Sequence, residues 1–230
     1  MPFSKIKLVS FDLDNTLYDN QPVIKRAEEE SQEYLRSEFN KQEQIFDYQL
    51  FLSYKNELLS SEKLIGYSEN SRYENLSYLR EHVLLKCCEK LSKTKEIAEQ
   101  ALDIFLNYRN QIVIEPQVID MLQQLAQQYH LVSVTNGNCD ASQLPFFDCF
   151  KKNYSPAAGY RAKPHPQMLQ QILTDFELRP EQILHVGDRL DSDGQAAEAI
   201  GCPFYYFAPF TGEMDVNKSC DELISKLQCY

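Results

Sequence analysis

Between residues 20 and 111 the chain contains one glycine, Gly66, and one proline, Pro22. A stretch so poor in turn formers, and so rich in Glu, Lys, Gln and Tyr, favours helices over hairpins. It interrupts a different kind of sequence. Before it stands the apolar run Ile6-Lys7-Leu8-Val9-Ser10-Phe11, and after residue 112 short apolar runs alternate with helical periods. Strands alternating with helices predict a parallel sheet covered on both faces. The expected architecture is an α/β, Rossmann-like doubly wound sheet built from residues 1–18 and 112–230. Residues 19–111 form an all-helical insert after the first strand.

Within the insert, a helix is expected from Pro22, with Val23, Ala27, Tyr34 and Leu35 as its apolar stripe. A second is expected over Glu43 to Leu59, carrying Phe46, Leu50 and Leu58. Residues 60–71 read as a loop, Tyr73 to Leu91 as a third helix, and Ser92 as the N-cap of a fourth carrying Ala98, Ala101, Leu102 and Phe105. Beyond the insert, Val118, Leu122, Leu125 and Tyr129 mark one helix face, opened by Pro116. Leu131 to Thr135, Ile183 to Val186 and Phe204 to Phe207 read as strands. Gln167 to Phe176 and Asp193 to Ile200 read as helices, the latter closed by Gly201.

The chemistry sits at strand ends. Asp12 and Asp14 follow the first strand, Thr135 and Asn136 the next, and Gly187-Asp188 another, with Asp193 five residues on. Lys163-Pro164 precedes a helix. In a parallel sheet such ends share one edge, so these groups converge in one crevice. Two acids as close as Asp12 and Asp14 repel each other unless a cation or a shared proton compensates. Several carboxylates with one Lys and a hydroxyl/amide pair suit a divalent cation plus a phosphate. Oxygen donors favour Mg²⁺ over zinc or copper.

Net charge sharpens this. At −11 the chain lacks the basic footprint of a nucleic-acid binder or of a protein docking on an anionic membrane. An acidic protein binds phosphate only with locally supplied positive charge. The N-terminal residues show no apolar signal-peptide core, and no apolar run is long enough for a transmembrane helix. Seven cysteines without Cys-x-x-Cys spacing read as reduced thiols, so a cytoplasmic protein is expected.

Asp12-Leu13-Asp14-Asn15-Thr16, then Thr135, Lys163 and Gly187-Asp188-x-x-x-x-Asp193 resemble, in order, the four motifs of the haloacid dehalogenase-like (HAD) hydrolases. The insert is similar to the C1-type cap of that superfamily. The resemblance implies a Mg²⁺-dependent phosphatase acting on a small phosphorylated metabolite. It implies Asp12 as nucleophile and metal ligand, and Asp14 as proton donor and acceptor whose backbone carbonyl binds metal. Asp188 is the further metal ligand, and Asp193 supports the site from behind. Thr135, Asn136 and Lys163 hold the phosphoryl group, with Arg161 the alternative cation. Residues 11–24, 134–138 and 183–188 further resemble bacterial flavin-mononucleotide and 5-amino-6-(5-phospho-D-ribitylamino)uracil phosphatases, which places the expected activity in riboflavin biosynthesis.

Other outcomes stay open at this level: other sugar phosphates or nucleotides, a phosphomutase, a haloacid dehalogenase, or a binding module without catalysis. The oligomeric state is not fixed. Dehalogenation requires neither a metal nor an acid two residues after the nucleophile, so Asp14 and Asp188 speak against it. Tyr18 and Asn20 lead from the first strand into the insert and are read as substrate contacts or a hinge. Tyr48, Tyr54, Tyr67, Tyr73 and Tyr78 read as helix packing, and His185 as a core histidine.

Overall fold

The computed structural model describes residues 5–65, 74–212 and 215–228. The chain divides into two compact units, Met1–Asn20 with Ile112–Tyr230, and Gln21–Gln111. The first is an α/β core. Its strands β1 (Leu8–Phe11), β2 (His130–Val134), β3 (Phe150–Tyr154), β4 (Ile183–Gly187) and β5 (Phe204–Tyr206) form a parallel sheet in the order β3-β2-β1-β4-β5.

Every residue of β1 is buried, as expected for a central strand with both faces covered. Alternation sorts its side chains between the faces. Val9 and Phe11 join a core with Val118, Met121, Leu122 and Leu125 of α5 (Pro116–Ala126) and with Leu223 and Leu227 of α8 (Val216–Gln228). Leu8 joins Met168, Leu169 and Ile172 of α6 (Gln167–Asp175) and Ala196 and Ala197 of α7 (Gln195–Ile200) on the other. Burying one such aliphatic side chain contributes roughly 1.5–3 kcal/mol.

The second unit holds α1 (Gln21–Lys41), α2 (Tyr48–Ile65), α3 (Leu76–Cys87) and α4 (Thr94–Arg109). In α1 the buried residues Val23, Ala27, Ser31, Leu35 and Phe39 recur every fourth position. Ser31 Oγ donates to the Ala101 carbonyl of α4 at 2.9 Å, so this small residue fills a polar role at a helix contact. Leu35, Phe39, Phe51, Val83, Leu84 and Phe105 lie among the buried residues of this unit. Tyr48 stacks on Phe51, the Lys86 ammonium lies over Tyr54, and Tyr78 meets His82. All three contacts are the expected packing.

Several boundaries differ from the sequence reading. Glu43 lies in the left-handed region at φ 56°, and α2 starts only at Tyr48, where Asp47 Oδ1 accepts from the Gln49 N–H. Phe51 is buried where Leu50 was expected; Leu50 is exposed. α2 continues to Ile65, so the first part of the expected 60–71 loop is helical. Gly66, Tyr67 and Tyr73 lie outside the described residues. Ser92 does not cap α4. Its N–H and hydroxyl both go to Gln42 Oε1, and Lys93, at φ 61°, takes the cap position. Tyr129 lies beyond α5, and its hydroxyl donates to the Leu227 carbonyl. β3 and α8 add elements absent from the sequence reading. Among the described residues no helix is long and apolar enough to cross a membrane.

Candidate active site

Sheet order reverses direction at β1, which lies between β2 and β4. Ligands of open α/β sheets bind outside the carboxyl ends of strands at such a switch point. Asp12 leaves β1 there, Thr135 leaves β2 and Asp188 leaves β4. A pocket of about 430 Å³ at this edge is lined by Asp12, Asp14, Thr135, Lys163, Asp188 and Asp193 among others. Asn20, Asn136 and Arg189 also border it, whereas Arg161 does not.

Lys163 is the hub. Its Nζ lies 2.6 Å from Asp12 Oδ1, 2.6 Å from Asp193 Oδ1 and 2.5 Å from the Val134 carbonyl. An ammonium has three protons, and these three acceptors occupy them. Its side chain is only 1% exposed. Burial alone would lower its pKa, but the two carboxylates reverse that and raise it. Asn136 fixes the main chain of Lys163. Its Nδ2 donates to the Lys163 carbonyl and its Oδ1 accepts from the Lys163 N–H, both at 2.8 Å. The Asn136 carboxamide thus spends its oxygen and one of its two N–H groups on the backbone. Thr135 Oγ1 accepts from the Gly137 N–H at 2.9 Å.

Beneath the pocket runs a buried polar chain that the sequence did not reveal. Asp193 Oδ2 accepts from the Arg189 N–H, and Oδ1 faces His185 Nε2 at 3.3 Å as well as Lys163. His185 Nδ1 lies 2.9 Å from Ser10 Oγ. Burial lowers the His185 pKa from its ordinary value, against the pull of the Asp193 carboxylate. Burial would raise Asp193, yet the Lys163 ammonium and the His185 hydrogen bond hold it well below the usual carboxylate range. Nε2 thus faces the Asp193 carboxylate and Nδ1 the Ser10 hydroxyl, whose single proton also has the Leu184 carbonyl, 3.4 Å from Oγ, as an acceptor. The signal was the β1–β4 register, which pairs Ser10 with His185.

Glycines make room for two of the acids. A Cβ on Gly187 would collide with the Asp193 carboxyl, and one on Gly137 with Asp14 Oδ2. Asp193 itself sits in a wide turn, Leu190–Gly194, that closes on the Arg189 carbonyl before α7 begins.

The acids at the mouth are short of positive charge. Among the described residues that line the pocket, four carboxylates (Asp12, Asp14, Asp188 and Asp193) face the Lys163 ammonium, while Arg189 is turned to Asp191 by two hydrogen bonds and acts on Asp188 and Asp193 only through its charge. Burial raises Asp12, with Lys163 pulling it down and Asp193 pushing it up. Burial and then Asp193 raise Asp188. Thr16 Oγ1 lies 3.2 Å from both Asp12 Oδ2 and Asp188 Oδ1, but its single proton serves one of them at a time. Oxygens of Asp12, Asp188 and Asp193 lie within 4.8 Å of one another. This hard, anionic and under-compensated donor set fits Mg²⁺.

Tyr18 and Asn20 part company. Tyr18 is fully buried, so its ring is not a surface for substrate. Asn20 borders the pocket, and its Oδ1 has no hydrogen-bond partner among the described residues.

The family model for a haloacid dehalogenase-like hydrolase matches residues 6–201. The chain belongs to the haloacid dehalogenase-like hydrolases. Among curated HAD relatives, it is 28% identical over 218 residues to the Escherichia coli 5-amino-6-(5-phospho-D-ribitylamino)uracil phosphatase YigB, covering 93% of this chain and 88% of that protein. It is 24% identical to the rat N-acylneuraminate-9-phosphatase, covering 87% and 82%. Among solved HAD structures, a 2-haloacid dehalogenase from Pseudomonas syringae superposes with a TM-score of 0.80 at 28% identity, covering 93% of this chain and 91% of that one. The Bacillus subtilis putative HAD-hydrolase YfnB, bound to magnesium, shares the fold at a TM-score of 0.64 and 18% identity, covering 97% and 99%.

Proposed function

We propose that this HAD-like phosphatase hydrolyses a small phosphorylated metabolite through an aspartyl-phosphate on Asp12, with Mg²⁺ held by Asp12, Asp188 and the Asp14 backbone carbonyl. The observation that carries the reading is the Asp12–Lys163–Asp193 triad. It places a buried carboxylate beside its own counter-charge at the mouth of β1. In the first step an Asp12 oxygen attacks phosphorus, the ester P–O bond breaks, and Asp14 gives its proton to the leaving oxygen. In the second, Asp14 takes a proton from water as that water attacks phosphorus, and the Asp12–phosphate bond breaks. The Thr135 hydroxyl, whose own proton is left to donate, is assigned to the transferring oxygens, and the Lys163 ammonium, whose protons go to Asp12, Asp193 and Val134, offsets their charge. Bound Mg²⁺ supplies the positive charge that keeps Asp12 ionised and offsets the charge of the ester.

For substrate, 5-amino-6-(5-phospho-D-ribitylamino)uracil and flavin mononucleotide are the proposed pair. The support is the YigB likeness over nearly the whole chain, with Asn20 Oδ1 available to a substrate hydroxyl or N–H. A cytoplasmic setting belongs to the same reading. The Pseudomonas structure favours a second reading, 2-haloacid dehalogenation, against which Asp14 and Asp188 stand.

The test is phosphate release from a panel of phosphorylated metabolites with Mg²⁺ and with EDTA, and halide release from 2-chloropropionate. Hydrolysis of the ribitylaminouracil phosphate or flavin mononucleotide that vanishes with EDTA and in Asp12→Asn is expected. Halide release without any phosphate release reverses the assignment. Independently of turnover, Mg²⁺ raises the melting temperature of the wild-type chain and not that of Asp188→Asn.

A further inference from the structure

We propose that Tyr18 is a positioning residue for the proton transfer carried out by Asp14. The inference rests on the reading of Asp14 as proton donor to the leaving group.

The chain between the two residues is wound tightly. Asn15 takes a left-handed φ of 61°, and its N–H donates to the Tyr18 carbonyl at 2.8 Å. The Thr16 and Leu17 N–H groups both donate to the Leu13 carbonyl, and Asp14 pairs with Tyr18 in an isolated bridge. Asn15 Oδ1 accepts from the Asn20 N–H, closing the turn from the other side. Asp14 and Tyr18 are therefore fixed at the backbone, four residues apart, on a frame with little freedom.

The side chains complete the device. Tyr18 is wholly buried in the apolar core that contains Phe11, Leu13 and Leu17. Its hydroxyl donates to Asp14 Oδ1 at 2.7 Å and lies 3.2 Å from Cys139 Sγ. The other carboxyl oxygen, Oδ2, lies where a Cβ on Gly137 would be. One oxygen is thus bound by a phenol locked in the core, while the other lies close to the Gly137 backbone at the pocket. An Asp side chain has two rotatable bonds. The Tyr18 bond restricts both rotations and favours the setting that presents Oδ2 to the leaving oxygen. General acid catalysis needs the proton within hydrogen-bond reach of that atom. The proton leaves the Asp14 carboxyl for the ester oxygen as the P–O bond breaks, and Tyr18 keeps its own proton throughout.

The experiment uses the full chain with Mg²⁺ and compares kcat/KM on two substrates. p-Nitrophenyl phosphate has a leaving group that departs without a proton. An alkyl phosphate, glycerol phosphate or flavin mononucleotide, needs one. Asp14→Asn calibrates the proton-transfer effect, typically about a hundredfold or more. In Tyr18→Phe, which keeps the ring, the loss on the alkyl phosphate is expected to exceed the loss on the aryl phosphate by about tenfold, in line with one hydrogen bond to a charged group. Equal losses on both substrates, or no loss on either, overturn the positioning role if Asp14→Asn discriminates between them. If Asp14→Asn itself does not discriminate, the proton-donor reading of Asp14 fails instead, and this proposal with it. Should Tyr18→Phe not fold, a difluorotyrosine at position 18 keeps the shape and changes the strength of the bond. The ratio of the two kcat/KM values must then move, and an unchanged ratio overturns the proposal.

Discussion

Two of the core unit's lysine–aspartate pairs have the same length and different surroundings. Lys163 meets Asp193 at 2.6 Å, and Lys152 of β3 meets Asp175 at the end of α6 at 2.6 Å. In the first pair both side chains are 1% exposed, and in the second they are 43% and 23% exposed. Distance is equal and environment is not. Water already solvates Lys152 and Asp175, so their contact replaces one good environment by another and contributes little. Lys163 has given up its water entirely, and only Asp12, Asp193 and the Val134 carbonyl stand in for it. The exposed pair is a surface convenience. The buried one is a commitment by the fold to carry charge at the place where an anionic group must be received.

Removing the cation from each pair breaks the comparison most sharply. Lys163→Met leaves Asp12 and Asp193 buried without their counter-charge, and a loss of about 3–5 kcal/mol in unfolding free energy is expected. Phosphate release should disappear with it. Lys152→Met should move the urea midpoint slightly and leave turnover intact. Equal shifts in the two midpoints would show that burial does not separate the pairs.

His185 tests whether the buried half is a network or a single contact. His185→Phe preserves a ring in the strand but removes the two ring nitrogens that face Asp193 and Ser10. Loss of a hydrogen bond to a charged group predicts about 1.5–3 kcal/mol of destabilisation, read from urea unfolding. His185→Gln, which keeps a donor, should recover part of it. A Phe variant as stable as wild type would mean that Lys163 alone holds Asp193.

The same contrast explains what could be seen in the sequence. Asp12, Asp14, Thr135, Lys163, Asp188 and Asp193 were legible because apolar strand signals locate strand ends, and parallel strands bring those ends together. The inserted helices were legible from a lack of turn formers. What escaped depends on register or on competition between partners. Ser10 and His185 meet only because β1 and β4 pair in one particular register. β3 carries Lys151, Lys152 and Asn153 on an edge and so lacks a buried-strand pattern. Ser92 has the right chemistry for capping, but Gln42 claimed it. Tyr18 reads as a substrate contact or a hinge until its ring is seen inside the core.

The smallest effect is expected at Asp175, and pH gives it a sign. Its carboxylate accepts from Lys152, Tyr154 and Gln171, and these hydrogen bonds hold its pKa down at about 2. An unfolded aspartate titrates near about 3.9. A depressed folded pKa gives stability that is complete above the unfolded value and is lost as pH falls through the folded one. The difference in urea midpoint between wild type and Asp175→Asn should therefore be small and constant from pH 5 to 7. It should shrink between about pH 4 and pH 2, as protonation makes the wild-type side chain resemble the variant. Subtracting the variant removes every other group that titrates in that window. A difference that grows on acidification would mean that Asp175 is held protonated by its neighbours rather than ionised. Lys152 would then not be its partner in any energetic sense, and the exposed pair would be a contact of geometry alone.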